Sequence, residues 1–488
     1  MSTSAVRPDI DAPFNRKLSA SPGETLVRFT APRQSVTERK AAGKSLRKTV
    51  PRESHATFHK RADRPDPVAI LEAQNLSRAQ KLVPVRFARM LASPFAFLRG
   101  SAAVMASDLA TTPVTGIQVN ACGDMHVSNF GVFGSAERDL VFAINDFDEV
   151  FPGAWEWDLK RLTASAAVAV RFMGGDKHQA AEAAVQTVRS YREHIARYAD
   201  MGHLATWYDR IDEHAVLAGL SSQARKNARK LIGKARAKGH QRVLGKLAEL
   251  VEGEHRIVES VPLVVRETHT EGGIPIEQAL DAMLTSYLES LSFDRRRLLS
   301  RYRIVDVARK VVGVGSVGTG CWVVLLMGND DDDPLFLQVK QAQPSVLAPY
   351  SDYRMPFENQ GRRVVVGQRM IQGSPDIFLG WGQLNDRDFY VRQLADMKGG
   401  IEMEEGNTKG VATFLEYCAL CGWALALAHA KSGDAAAIAG YCGNSAVLDE
   451  AIARFSLTYA RQTERDHEAL DKARRSGRIR VASEQLTK

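Results

Sequence analysis

A chain of 488 residues is long enough for two or three domains and buries an ample core without covalent staples. Its 44% hydrophobic and 25% charged residues are those of an ordinary globular protein, and a net charge of +8 permits only weak, diffuse contact with nucleic acid or anionic surfaces. No apolar run reads as long enough to cross a bilayer, and the polar, Pro-containing start lacks a secretory core, so a cytoplasmic protein without a membrane partner is expected.

Residues 1–66 are rich in Ser, Thr, Pro, Arg and Lys without sustained periodicity, which predicts a disordered basic tail. Residues 66–110 turn helical, with Ile70, Leu71, Leu82, Phe87 and Met90 at helical intervals and a break at Ser93-Pro94. Residues 116–120 read as a short strand entering a polar loop at Gly123, and residues 140–144 as a second. Two Ala-rich helices follow, over 158–172 and 176–199. Residues 200–300 are helical and charged, and the basic stretch 225–246 reads as a solvated face. After residue 301 the pattern changes to strands at 304–312, 321–327 and 335–340 with no helix between them, which predicts an antiparallel meander. Residues 355–372 are expected to be helical, with further strands near 364–371 or 377–379 and at 389–394. Helices over 411–431 and 448–473 close the chain. The five cysteines are scattered, and Cys418-x-x-Cys421 lies in an Ala/Leu-rich helical pattern that reads as core.

Chemistry concentrates in two places. Cys122-Gly-Asp124-Met-His126-Val-Ser-Asn129 precedes an apolar run that ends in Asp146-Phe147-Asp148. Carboxylates set so close repel one another unless a cation lies between them, and hard divalent ions such as Mg²⁺ take these oxygen ligands. Asn129, Asp146 and Asp148 are therefore the candidate metal ligands. Asp124 and His126 are the candidate catalytic groups, His126 being equally suited to a structural hydrogen bond. The second place is Gly313-Val-Gly315-Ser316-Val-Gly318-Thr319. In a dinucleotide fold a helix must follow such a loop, whereas here a strand follows. A strand–glycine loop–strand unit instead covers nucleotide phosphates. Lys340, closing the next strand, is placed to hold α- and β-phosphates. Glu358, expected to start the following helix, is the candidate partner for its ammonium.

These segments resemble the protein-kinase-like superfamily. The Asp124–Asn129 offset is similar to that of the catalytic loop of aminoglycoside-type small-molecule kinases, with Cys122 in place of the leading His. Asp146-Phe-Asp148 resembles their metal-binding element, and Trp157-Asp158-Leu159 the start of their next helix. More closely, the stretches 89–100, 312–319 and 391–398 are similar to a bacterial family called domain of unknown function 2252. The order of parts departs from an ordinary kinase, because the glycine loop and Lys340 follow the catalytic loop. The resemblance therefore implies a circularly permuted, α+β, two-lobe fold. Residues 67–300 would form a large helical lobe, 301–395 a small β-rich lobe, and 396–488 helices returning to the large lobe. It implies ATP and Mg²⁺ as cofactors and phosphoryl transfer to an unknown small-molecule or protein acceptor. Nucleotidyl transfer, or nucleotide binding without catalysis, are the alternatives. Nucleic acid binding by the basic segments would leave the acidic cluster unexplained.

Overall fold

The wholly apolar run Cys321–Met327 and the strand Pro334–Ala342 form the centre of a six-stranded sheet, buried on both faces. The computed structural model describes residues 24–483 apart from 60, 238–239, 271–272, 354–355 and 395–396. In spatial order the sheet runs Gly380–Leu384, Arg387–Gln393, Pro334–Ala342, Cys321–Met327, Arg303–Lys310 and Val264–Val265, with every pairing antiparallel. The period of two sends Leu335, Leu337 and Val339 to one face, where they meet Met283 and Tyr287 of the helix Ile276–Ser290. Phe336 lies on the other face with Val243 and Leu244. Register sets Lys340 opposite both Cys321 and Tyr390.

The rest of the α+β fold is a helical body. Trp155–Phe172 is buried on nearly all sides, as its Ala- and Val-rich sequence requires. It packs against Lys177–Ala199 and Val447–Arg475. Val411–Ser432 lies so close to Lys177–Ala199 that a Cβ at Gly422 would stand 2.2 Å from the Thr187 carbonyl oxygen. Contrary to the sequence expectation, Thr408–Ser432 is long and apolar enough to span a bilayer, although 61% of its apolar window is buried inside the protein. All five cysteines are buried and unbridged.

Two boundaries move. The β-rich lobe was expected to begin at 301, yet Val264–Val265 pairs with Arg303–Lys310, and Ile276–Ser290 packs on Gly380–Leu384. A two-residue strand is too short to show periodicity. The helix docks through Gly380 and Gly382, whose missing side chains leave room for Tyr287 and the Met283 backbone. The segment at 355–372 resolves as one helix, Gln360–Ile371, so no strand forms over 364–371.

The expected disordered tail is also corrected. Residues 1–23 lie outside the described residues, but Val36–Ser45 is a helix with a capping box at Ser35. It docks on Ala435–Cys442 through Gly43, where a Cβ would meet the Ala437 carbonyl. Arg39 pairs with Asp434 at 2.9 Å, and Arg47 donates to the Tyr441 carbonyl at 2.9 Å. A small residue and backbone carbonyls leave no hydrophobic pattern for sequence reading to detect. Nearby, His55 is fully buried with Nε2 2.7 Å from the Tyr441 hydroxyl, and burial lowers its pKa to about 3. The unfolded chain takes up a proton below 6.5 and the folded chain does not, so stability falls as pH drops from 6.5 towards 3. His55→Gln is expected to lose less urea midpoint than the parent across that window. Identical losses would show that His55 is not the titrating group.

Candidate functional site

The polar loop at 122–129 is held at both ends by helices. Gly123 adopts φ +73°, and a Cβ there would stand 2.8 Å from the Glu149 carbonyl oxygen, so the tight approach needs glycine. The amides of Cys122 and Gly123 donate to the carboxylate of Asp158, at 2.6 and 2.9 Å, from the first turn of Trp155–Phe172. His429, near the end of Val411–Ser432, lies 3.4 Å from the same carboxylate and meets the Tyr191 hydroxyl at 2.8 Å. Further along, the Val127 amide donates to Ser165 Oγ at 3.0 Å, and Tyr417 donates to the Val127 carbonyl at 2.8 Å.

This frame fixes the candidate side chains. Asn129 Nδ2 donates to the Asp124 carbonyl at 2.7 Å, and no hydrogen bond to its Oδ1 forms among the described residues. Arg161 grips Asp124 through Nε at 3.0 Å and through its terminal nitrogen. Burial raises the Asp124 carboxyl above its usual range, with Arg161 opposing the shift. His126 Nε2 lies 3.8 Å from Asp124, and its Nδ1 is buried without a partner. Burial, then Arg99 and Arg161, hold His126 neutral.

Asp146 follows the strand Leu140–Ile144, and the Asn145 amide ties that strand end to the Asn129 carbonyl at 2.8 Å. Burial and the neighbouring Asp148 both raise the Asp146 pKa. Asp148 differs because both its oxygens are engaged, by Lys340 Nζ at 2.5 Å and the Tyr390 hydroxyl at 2.5 Å. Burial opposes its ionisation, but Lys340 and Tyr390 hold its pKa below the usual carboxylate range. Lys340 and Asp148 are 192 positions apart in the chain. Arg363 then clamps the carbonyls of Asp148, Gln343 and Val150 at 2.9, 2.7 and 2.5 Å.

Glycines cover this cleft. Gly313, Gly315, Ser316 and Thr319 line it together with Asp124, His126, Asn129, Asp146 and Asp148. The segment is strapped down: Arg89 donates to the Gly313 carbonyl at 2.6 Å and Arg78 to that of Val317 at 2.7 Å. Gly318, at φ +87°, accepts from the Ala79 amide at 2.8 Å. The free volume beneath is about 100 Å³, room for an ion with its waters and a phosphate group.

Glu358 is a correction. It is exposed, lies outside the helix capped by Asn359, and has no contact with Lys340, whose charge Asp148 already satisfies. Arg363 is the residue of that helix that reaches the site.

Among the described residues no three His, Cys, Asp or Glu side chains gather as a self-sufficient metal site. The free Oδ1 of Asn129 and the carboxylate of Asp146 are instead a sparse set of hard oxygens. They suit an ion that keeps most of its shell as water and phosphate oxygens.

A family model described as an uncharacterized protein conserved in bacteria, DUF2252, matches residues 78–473. The chain belongs to the DUF2252 family. No curated protein and no solved structure matches it. The DUF2252 match begins at the arginine that holds the Val317 carbonyl and encloses every candidate site residue.

Sequence reasoning missed several residues of this DUF2252 site. Arg161 stands one helical turn beyond Asp158, a spacing that was available as a signal. Arg99 ends the apolar run Phe95–Leu98 in sequence, which concealed it; its Nε is buried without a partner among the described residues, and its charge acts on Asp124 and Asp146. Arg392 and Lys398 belong to the 391–398 stretch noted for family resemblance alone. Burial, then Arg392, lowers the Lys398 pKa to about 7, and Asp146 partly restores it.

Proposed function

We propose that the cleft binds Mg²⁺–ATP and transfers a phosphoryl group to an acceptor hydroxyl, on a circularly permuted kinase-like fold. The observation that carries this reading is the meeting of Lys340 with Asp148, beside Asp146 and beneath a glycine segment, although sequence separates them widely. Lys340 and the amides of 313–319 would hold phosphates. Asn129 Oδ1 and Asp146 would hold the ion, which when bound offsets phosphate charge. Asp148, which lines the cleft with both oxygens engaged, keeps Lys340 charged and held at its edge. Asp124, gripped by Arg161 and raised in pKa by burial, would orient the acceptor hydroxyl or accept its proton. The permutation is supported by two packing relations. The helix Gln360–Ile371 braces the Asp148 backbone through Arg363, and the helix ending near His429 sits beneath the loop through Asp158. The present volume admits phosphates but no whole nucleotide, so binding would require the strap at Arg78 and Arg89 to open. A cytoplasmic location fits this use of ATP.

Nucleotidyl transfer is the second reading, and a specific observation favours weighing it. Arg392, which donates to the Asn145 carbonyl at 3.2 Å, and Lys398 place half-buried positive charge near Asp146, a second place where phosphates would be held. A nucleotide lying in the reverse direction would bring its α-phosphate to the ion. Incubation with Mg²⁺ and ATP labelled separately at the γ- and α-phosphates separates the two. Transfer of γ-label alone supports phosphoryl transfer, α-label supports the second reading, and binding without transfer supports a non-catalytic nucleotide sensor. On the first reading, Asp124→Ala keeps its ATP affinity within about threefold while kcat falls by about 10²–10⁴-fold. Retained turnover would remove Asp124 from the chemistry.

A further inference from the structure

A second cavity, of about 610 Å³, lies behind the loop that carries Asn129. Its floor is Val132, which pairs with Gly399 through two backbone hydrogen bonds at 2.8 and 2.9 Å. One wall is Val411–Ser432, which contributes Phe414, Tyr417 and Leu420; the other is the helix Ser222–Arg236 with Leu231 and Ile232. The volume falls within the range of small-molecule sites, about 300–1,000 Å³. The lining is mainly apolar, but the charges it includes are unbalanced. Lys230, Lys234 and Arg242 lie on it against a single carboxylate, Glu402. All three cations are exposed, and none forms an ion pair among the described residues. They belong to a stretch, residues 222–246, that carries nine Lys or Arg and no Asp or Glu. A basic helix in water has no need to set its apolar stripe over a hollow. One that lines a cavity with Leu231 and Ile232 while presenting Lys230 and Lys234 matches a ligand with an apolar body and an anionic end.

We propose that this cavity binds a single-tailed amphiphile whose tail lies against Leu231, Phe414 and Tyr417 and whose anionic headgroup meets Lys230, Lys234 and Arg242. The occupant is a single-tailed monomer with an anionic headgroup, for which a fatty carboxylate is the probe, because the cationic rim selects the charge and the volume suits one tail. The site is separate from the nucleotide cleft, so binding is expected without ATP or metal.

The test is titration of the full chain with dansyl-undecanoate, followed by fluorescence. The expected result is saturable binding to one site, displaced by dodecanoate and weakened at high salt. Lys230→Glu combined with Lys234→Glu, both exposed and unpaired, is expected to weaken binding by about tenfold without changing the melting temperature. Leu231→Trp, which fills the cavity, is expected to abolish it. Displacement by dodecyltrimethylammonium as effective as by dodecanoate would overturn the anionic headgroup. Absence of saturable binding, or affinity unchanged by the charge reversal, would overturn the site. Because the charge-reversed chain keeps its core, the outcome does not depend on Leu231→Trp folding.

Discussion

Asp146→Asn is expected to weaken Mg²⁺–ATP binding by about 100-fold while leaving the metal-free melting temperature equal to or above that of the parent. The two effects have one cause. Asp146 is a half-buried carboxylate whose ionisation is opposed by desolvation and by Asp148, so its charge is unfavourable in the absence of an ion. That same charge is useful only when an ion sits against it. Calorimetric titration with Mg²⁺–ATP, paired with thermal unfolding in chelator, reads both. Unchanged affinity would remove Asp146 from the site, and a large drop in melting temperature would mean that it is a structural residue.

Lys340→Met is expected to be costly even before nucleotide is added. Lys340 is 3% exposed and Asp148 27% exposed, so removing the ammonium leaves a carboxylate that is mostly desolvated, with the Tyr390 hydroxyl bond and the charge of Arg392 as its remaining compensation. Breaking a buried pair from one side costs about 3–5 kcal/mol, and the partial exposure of Asp148 places this case near the lower figure. The double variant Lys340→Met with Asp148→Asn removes the stranded charge and is expected to recover most of that loss. Nucleotide affinity should stay low in both. Recovery of ATP binding together with stability would show that Lys340 serves Asp148 and not phosphate.

The residues legible in the sequence were those whose chemistry sits at the ends of regular elements. Asp124, Asn129 and Asp146 flank short strands, and Lys340 lies near the end of the strand Pro334–Ala342, whose Leu335, Leu337 and Val339 alternate plainly, so type and position together pointed to one place. Less was legible where contact depends on backbone or on distant elements. The helix Val36–Ser45 docks through Gly43 and through arginines that reach carbonyls, none of which carries a periodic signal. Val264–Val265 adds a strand to the sheet from two residues. Glu358 was chosen for its charge near a helix start, whereas the cap belongs to Asn359 and the side chain that turns inward is Arg363. Arg99 and Lys398 were hidden because a buried cation within an apolar or mixed stretch looks like any surface lysine or arginine until its surroundings are known.

On the proposed function, one nucleotide bridges the loop at 122–129 and the glycine segment at 313–319. A structure of the chain with Mg²⁺ and a non-hydrolysable ATP analogue tests it most directly. The account predicts the ion against Asp146 and Asn129 Oδ1, with phosphates between Lys340 and the amides of 313–319. A nucleotide bound elsewhere, or a cleft that stays closed and empty at saturating analogue, would contradict it.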